Sequence, residues 1–362
     1  MPDIKQHMQK AIGEQYYNSQ YDLTVQTYPG DKEVDPAAYR KALEKIPKGS
    51  AVTIFTPDDT HFSIALDCVK AGMHVLVTKP VVKTLEEHIA LATAAKENNV
   101  LVAVEVHKRW DPIYTDARDR LKKLGDFSYL TAYMSQPKIQ LATFKAWAGI
   151  SSDISYYLNS HHVDFHEWVM EGRARPIRVV GMGATGVALK ELGRPCEDTI
   201  SLHVTWENLP SGNIGIASYT SSWIAPPSDV HSQQRFHCMA HNGEVMVDQA
   251  HRGFSVATDS NGYASANPLF MKYTPDDGKF AGQQGYGYRS IEAFITAVAS
   301  IQSGEKSARD YDHSLASIHT TYQTSAILDA GRKSLDNGSV PVEIIYDNKE
   351  YPMHPTSLKV NK

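Results

Sequence analysis

The sequence predicts an α/β protein: a Rossmann-like parallel sheet, its first strand apparently missing, followed by a second α+β domain on a large, mostly antiparallel sheet. Three observations predict it. Strand-like and helix-like segments alternate through the first 110 residues, the order a parallel sheet with crossover helices requires. The run AVTIF (51–55) is continuously apolar, as a strand covered on both faces is, and HVLVT (74–78) is the next strand. Beyond residue 110, strand-like runs succeed one another across short turns, which suits antiparallel pairing. The expected boundaries are 1–110 and 111–362.

Residues 3–18 read as a helix, and YDLTVQTYP (21–29) as a strand stopped by Pro29-Gly30. Asp35-Pro36 supplies an N-cap and a first helical residue for AAYRKALEKI. The strand 51–55 is bounded by Gly49 and Pro57. A helix over about 61–71 closes at Gly72, a residue suited to the position after a helix end. HVLVT runs into Lys79-Pro80. Thr84 and Glu87 form a capping-box pattern that opens the amphipathic helix TLEEHIALATAAKENN. LVAVEVH is a further buried strand. Then come a helix over 113–124, the strand FSYLTAYMSQ, a helix near 153–172 and the strand IRVVGMGATG. TISLHVTWEN and NIGIASYTSSW are joined by a Leu-Pro-Ser-Gly turn. RFHCMAH and EVMVDQ meet at Asn242-Gly243, a type I′ hairpin signal. Helices near 288–303 and 312–335 come next. Segments 224–234 and 258–287, rich in Pro, Gly, Ser and Tyr, read as long loops.

Composition excludes several function classes. With 36 basic and 41 acidic side chains the chain carries −5, so it lacks the basic excess of a general nucleic-acid binder. No run approaches the ~18–20 apolar residues of a membrane span, and the N-terminus has no apolar signal core. Cys68, Cys196 and Cys238 are too few and too scattered for a disulfide framework or a structural zinc site. A reducing, cytoplasmic setting is expected.

The chemistry concentrates in four motifs. Thr56-Pro57-Asp58-Asp59-Thr60-His61 leaves one strand, and Gly72-Met73-His74-Val75-Leu76-Val77-Thr78-Lys79-Pro80 ends the next. Lys108-Arg109-Trp110-Asp111-Pro112 and His161-His162-Val163-Asp164 are the third and fourth. Ligands of open α/β sheets bind beyond the carboxyl ends of the strands, where Thr56-Pro57 and Lys79-Pro80 lie. Pro80 holds Lys79 extended, so its ammonium can be aimed. An ammonium there can stabilise a developing alkoxide, and a histidine such as His161 can take the hydroxyl proton.

These motifs, in this order over 51–168, resemble the Gfo/Idh/MocA oxidoreductase family. The resemblance implies an NAD- or NADP-dependent enzyme that transfers a hydride between a sugar or polyol carbinol and nicotinamide. It implies Lys79 and His161 as the catalytic pair, with Tyr157 assisting. Thr56, Pro57, Asp58, His61, Lys79 and Arg109 fall on the cofactor side. Lys79, Lys108, Tyr157, Asn159, His161 and His162 fall on the substrate side, with Tyr156 and Trp147 as further pocket candidates. A homo-oligomer, dimer or tetramer, is expected to pair through the free face of the large sheet. Two positions depart from the pattern: Tyr157 replaces the Asp usually four residues before the helix histidine, and Thr78 replaces a Glu. Both point to an altered pocket.

A dinucleotide fold opens with a strand and a G-x-G-x-x-G turn, and no such turn precedes the first helix here. The chain reads as beginning just after it, which predicts weak NAD(P) binding or none. Gly181-Met182-Gly183-Ala184-Thr185-Gly186 has the spacing and lies after an apolar run. Only 187–192 then separates it from Gly193-Arg194-Pro195, too short for a parallel crossover of roughly 10–12 residues, so these glycines are expected to serve a strand and a turn. His162 and His166 stand four apart on one helix face, but no third ligand is evident, so no metal is expected. The competing readings are a sugar-binding or regulatory protein without nucleotide binding, an NAD-dependent glycosidase, and a metal-dependent hydrolase.

Overall fold

A computed structural model describes residue 6 and residues 26–30, 33–260, 262–270, 273–276, 279–283 and 285–361. The helix expected over 3–18 lies outside the described residues except at residue 6. The strand expected over 21–29 lies outside them except for 26–29, which are irregular.

The first sheet is parallel. Its strands β1 (Ala51–Ile54), β2 (His74–Thr78) and β3 (Val102–Glu105) stand in that order, Ala51 opposite His74 and Val75 opposite Val102. Helices α1 (Ala38–Leu43), α2 (His61–Lys70) and α3 (Leu85–Glu97) connect and flank them. Local chemistry sets their ends. Gly72 has φ +80 after α2. Thr84 accepts from the Glu87 amide at 3.1 Å while Glu87 accepts from the Thr84 amide at 3.1 Å, closing the capping box of α3. The expected helix after Asp35-Pro36 is α1, and the Asp35 carboxylate accepts from the Ala37 amide at 2.9 Å.

The second sheet mixes directions. Strands β4 (Phe127–Pro137), β5 (Ala174–Thr185), β6 (Glu197–Asn208), β7 (Ile214–Ala225), β8 (Gln233–Ala240) and β9 (Gly243–Asp248) belong to it. Its order is β15-β14-β5-β6-β7-β4-β8-β9, where β14 is Val342–Ile345 and β15 is Ser357–Val360. The pair β4–β7 is parallel and the other neighbours are antiparallel. In β6, Ile200, Leu202, Val204 and Trp206 are buried while the residues between them are not, the alternation of a sheet covered on one side. The covering elements include α4 (Pro112–Leu121), α5 (Gln140–Phe144), α6 (Ser160–Met170), α7 (Val187–Leu192) and α9 (Tyr322–Asp336). Helix α8 (Arg289–Gln302) instead covers the first sheet, with Phe294, Ala297 and Val298 against Leu76, Leu101 and Ala103.

Of the glycines at 181–186, Gly181 and Gly183 act in strand packing, and Gly186, at φ +138, turns the chain into α7. Gly181 lies in β5, where a Cβ would stand 2.4 Å from the Gly331 carbonyl of α9. A Cβ on Gly331 would in turn stand 2.5 Å from Leu202, so helix and sheet touch backbone to backbone.

Several expected boundaries move. The helix expected over 312–335 begins at Tyr322, because Ala316 accepts from the Val104 amide at 2.6 Å and Ser317 bridges Ala103. That segment serves the free edge of β3. The expected loop 258–287 contains short hairpin strands, β10 (Ser255–Thr258) with β11 (Gly262–Ser265) and β12 (Tyr273–Asp276) with β13 (Lys279–Gln283). Exposed on both faces, β10 has no apolar alternation to betray it. The hairpin at Asn242-Gly243 forms with His241 and Asn242 as its loop, and neither has the positive φ a type I′ turn needs. Their amides are held instead by the carbonyls of Asp126 and Leu124 at 2.9 Å.

Gly181→Ala is expected to destabilise the fold by about 1–3 kcal/mol, since the added methyl meets a helix carbonyl that cannot rotate away. Chemical denaturation monitored by circular dichroism checks this.

Candidate active site

The carboxyl ends of β1, β2 and β3 face the second sheet. After β1 the chain leaves Phe55 55% exposed, with Thr56 and Pro57 exposed beside it. Beyond them Thr60 donates to Thr56 Oγ1 and approaches the Pro57 carbonyl, both at 2.7 Å. His61 is fully buried, with its ring nitrogens 2.8 Å from the Pro80 carbonyl and 2.9 Å from the Thr56 carbonyl. It therefore ties two strand ends together and has no nitrogen left for a ligand. The Asp58 carboxylate is taken by the Ser152 hydroxyl. Burial raises its pKa, against the hydrogen bond from Ser152 and the charges of His61 and Lys79.

Lys79 extends from the tip of β2 and donates to the Tyr157 carbonyl, with its ammonium 4.2 Å from the centre of the Tyr157 ring. Burial pushes it down to about 8, against the charges of Asp58 and Glu105. Tyr157 lies in a π-turn, Ser155–Asn159, that leads into α6. Such a turn inserts a residue into the helical ladder and re-aims the side chains after it, and π-turns are frequent at functional sites. The Tyr157 ring packs on Phe144 and Trp147, and its hydroxyl accepts from Gln136 Nε2 at 3.3 Å. Burial raises this phenol above its ordinary value.

His161 stands one turn later and is 7% exposed. Its Nδ1 is buried with no protein partner. Burial holds the imidazole well below its ordinary pKa, and the nearby Lys79 and Lys108 side chains lower it further. Tyr157 and His161 line a cavity of about 540 Å³ with Gln136, Gln234, Gln249, Phe270 and Tyr286. Among the described residues its lining contains no Asp, Glu, Lys or Arg. A second cavity, about 460 Å³, includes Lys96, Arg309 and Tyr351 in its lining and none of these strand-end residues.

Five expected contact residues turn inward. Arg109 is buried in a two-pronged ion pair with Asp164, at 3.0 and 2.8 Å, and also bonds Thr320. It therefore braces the turn after β3 against α6. Asn159 is buried and fully bonded to Ser155, Ile200 and Ser221, away from the cavity. His162 is buried with Nε2 2.9 Å from the Tyr114 hydroxyl, while His166 Nδ1 lies 2.5 Å from the Tyr219 hydroxyl. Lys108 is buried beneath the cavity wall, donating to Tyr114 and Gln234, and burial pushes it down to about 7. Tyr156, also buried, bonds the Lys83 carbonyl at 2.9 Å.

One cavity residue is not legible in the motifs. His107 lies just past the end of β3, with Nδ1 3.4 Å from Glu105 and its ring centre 5.2 Å from that of His161. Burial pushes the Glu105 carboxyl up, but interaction with His107, the hydrogen bond from Ser290 and the charge of Lys79 outweigh it and hold it below its ordinary value. A titratable residue just past a third parallel strand end was the available signal.

Residues 6–106 match the Gfo/Idh/MocA oxidoreductase family, described as an NAD-binding Rossmann fold. Scyllo-inositol 2-dehydrogenase (NADP(+)) IolW of Bacillus subtilis is 30% identical over 149 residues, 39% of this chain and 41% of that protein. UDP-N-acetylglucosamine 3-dehydrogenase of Acidithiobacillus ferrooxidans is 28% identical over 45% of this chain and 46% of its own length. The matches thus span less than half of these relatives. An inositol dehydrogenase homolog from Azotobacter vinelandii, crystallised with NADH and myo-inositol, shares the fold with a TM-score of 0.62 at 20% identity, over 84% of this chain and 82% of that one. Among the described residues, no helix is long and apolar enough to cross a membrane.

Arg109→Gln is expected to cost about 3–5 kcal/mol of stability by leaving Asp164 buried and unpaired. Dinucleotide affinity per folded molecule is expected to stay unchanged; denaturation curves and fluorescence titration of the variant check both.

Proposed function

We propose, on the premise that residues 6–106 belong to the NAD-binding domain of the Gfo/Idh/MocA oxidoreductases, that this protein interconverts a sugar or polyol carbinol and its ketone. The observation that carries the reading is the meeting of Lys79, from a strand tip of the first sheet, with the backbone of Tyr157, which lines the 540 Å³ cavity together with His161. The relatives named as inositol and amino-sugar dehydrogenases support the same substrate class.

The dinucleotide fits the strand-end edge, where exposed Phe55, Thr56 and Pro57 offer an apolar and hydroxyl-bearing shelf beside Lys79. When bound, NAD or NADP supplies the hydride acceptor. The remaining work falls to the chain. Lys79 donates to the reacting oxygen and stabilises negative charge on it as the hydroxyl proton leaves. The neutral His161 imidazole faces that oxygen and can hydrogen-bond it. Gln136, Gln234 and Gln249 suit an uncharged polyhydroxylated ring, and Phe270 and Tyr286 suit its apolar face. We assign 1–110, with α8 laid against its sheet, to the dinucleotide and 111–362 to the substrate. Met182, Ile216, Met239 and Met246, exposed on the open face of the large sheet, support self-association into a dimer or tetramer.

Lys79→Met is expected to lower kcat by about 100-fold or more while leaving NADH affinity near wild type. Stopped-flow absorbance at 340 nm and NADH fluorescence check the two halves; unchanged turnover removes Lys79 from the mechanism. Because Lys79 acts protonated, kcat/KM for oxidation is expected to fall as pH rises through about 8, where that ammonium is lost. A pH–rate profile on myo-inositol and D-glucose checks the position of that limb.

A further inference from the structure

We infer that His107, held by Glu105, is the residue that accepts the hydroxyl proton, and that His161 orients the substrate oxygen; the inference rests on the dehydrogenase function proposed for this site. Glu105 ends β3 and is 8% exposed. Its Oε1 accepts from the Ser290 hydroxyl of α8 at 2.9 Å and stands 3.4 Å from His107 Nδ1. The carboxylate is thus fixed from a second element before it meets the imidazole. The His107 ring is clamped by Phe270 at 5.3 Å and Tyr286 at 6.1 Å, and it lines the same cavity as His161. With Nδ1–H turned toward Glu105, the lone pair of Nε2 remains for the cavity.

The two histidines differ in what they can hold. A base that takes a proton in a dry site becomes a cation, and the cation must be compensated. His161 Nδ1 has no partner, and Asp164, on its own helix, is locked to Arg109. The charged groups facing the histidine pair are Lys79 from β2, Lys108 from the turn after β3, and Glu105; Glu105 supplies the negative charge, and it supplies it to His107. The arrangement is that of a carboxylate fixing the tautomer of a general base.

In oxidation the carbinol C–H pair leaves as hydride to the nicotinamide, and the O–H proton passes to His107 Nε2. A ketone and an imidazolium balanced by Glu105 result. The proton then leaves to solvent through the cavity mouth.

The test has two arms. In the first, without cofactor or substrate, ring ¹⁵N NMR of histidine-labelled protein compares wild type with Glu105→Gln. The expected result is a His107 held as the Nδ1–H tautomer in wild type and a mixture of tautomers in the variant, with His161 unmoved. An unchanged His107 tautomer overturns the dyad. In the second, NAD and NADP reduction is measured with myo-inositol, scyllo-inositol and D-glucose. His107→Ala is expected to lose about 100-fold or more in kcat, to regain activity with added imidazole, and to keep its substrate KM. His107→Asn, close to the native ring in volume, is expected to show the same loss without rescue. Full turnover by either variant overturns the proposal. A wild type that oxidises none of these sugars overturns the dehydrogenase reading, and the role of His107 with it, a failure distinct from an active wild type with an active His107→Ala.

Discussion

The ammonium of Lys79 is held by a peptide carbonyl of another element, and among the described residues no carboxylate bonds it directly. That donor–acceptor contact joins the tip of β2 to the turn carrying Tyr157, and with the Arg109–Asp164 pair it sets the geometry between the first sheet and α6. Burying a charge with one neutral partner is expensive, and here the expense appears as an ammonium brought down to about 8. A group in that range donates a hydrogen bond firmly at neutral pH yet releases a proton with little further shift. Asp58 and Glu105 temper the effect from either side without touching the amine.

The same positive charge shapes its surroundings. His161 is kept neutral by burial first and by Lys79 next, so one of its ring nitrogens keeps a lone pair for hydrogen bonding. Among the described residues the cavity wall carries no Asp, Glu, Lys or Arg and is made of amide, hydroxyl, imidazole, aromatic and aliphatic side chains. Such a wall suits a substrate that brings no charge of its own and gains one only while reacting. Low dielectric then strengthens the few charged contacts made at that moment.

Much of the scaffold could be read in advance because its determinants are local. The Thr84–Glu87 capping box, Gly72 after α2, the apolar run of β2 and the alternation in β6 each involve residues a few positions apart. The glycines at 181–186 were legible as strand glycines from the short segment behind them, although their purpose, the approach of β5 to α9, was not. Segment 312–321 looks helical in composition, but its carbonyl at Ala316 is claimed by β3. The hairpin strands within 258–287 carry too little apolar pattern to separate them from a loop.

The sequence by itself determined that a lysine would stand at the end of a parallel strand and a histidine inside a helix, because strand, turn and helix propensities act over a few residues. Which way the neighbouring side chains face was decided only by the tertiary structure. Arg109 meets Asp164 across 55 residues and Glu105 meets Ser290 across 185, and those partners turned the first away from the cavity and set the second behind His107. A polar side chain goes where its desolvation is best compensated, and the compensating group can come from anywhere in the folded chain.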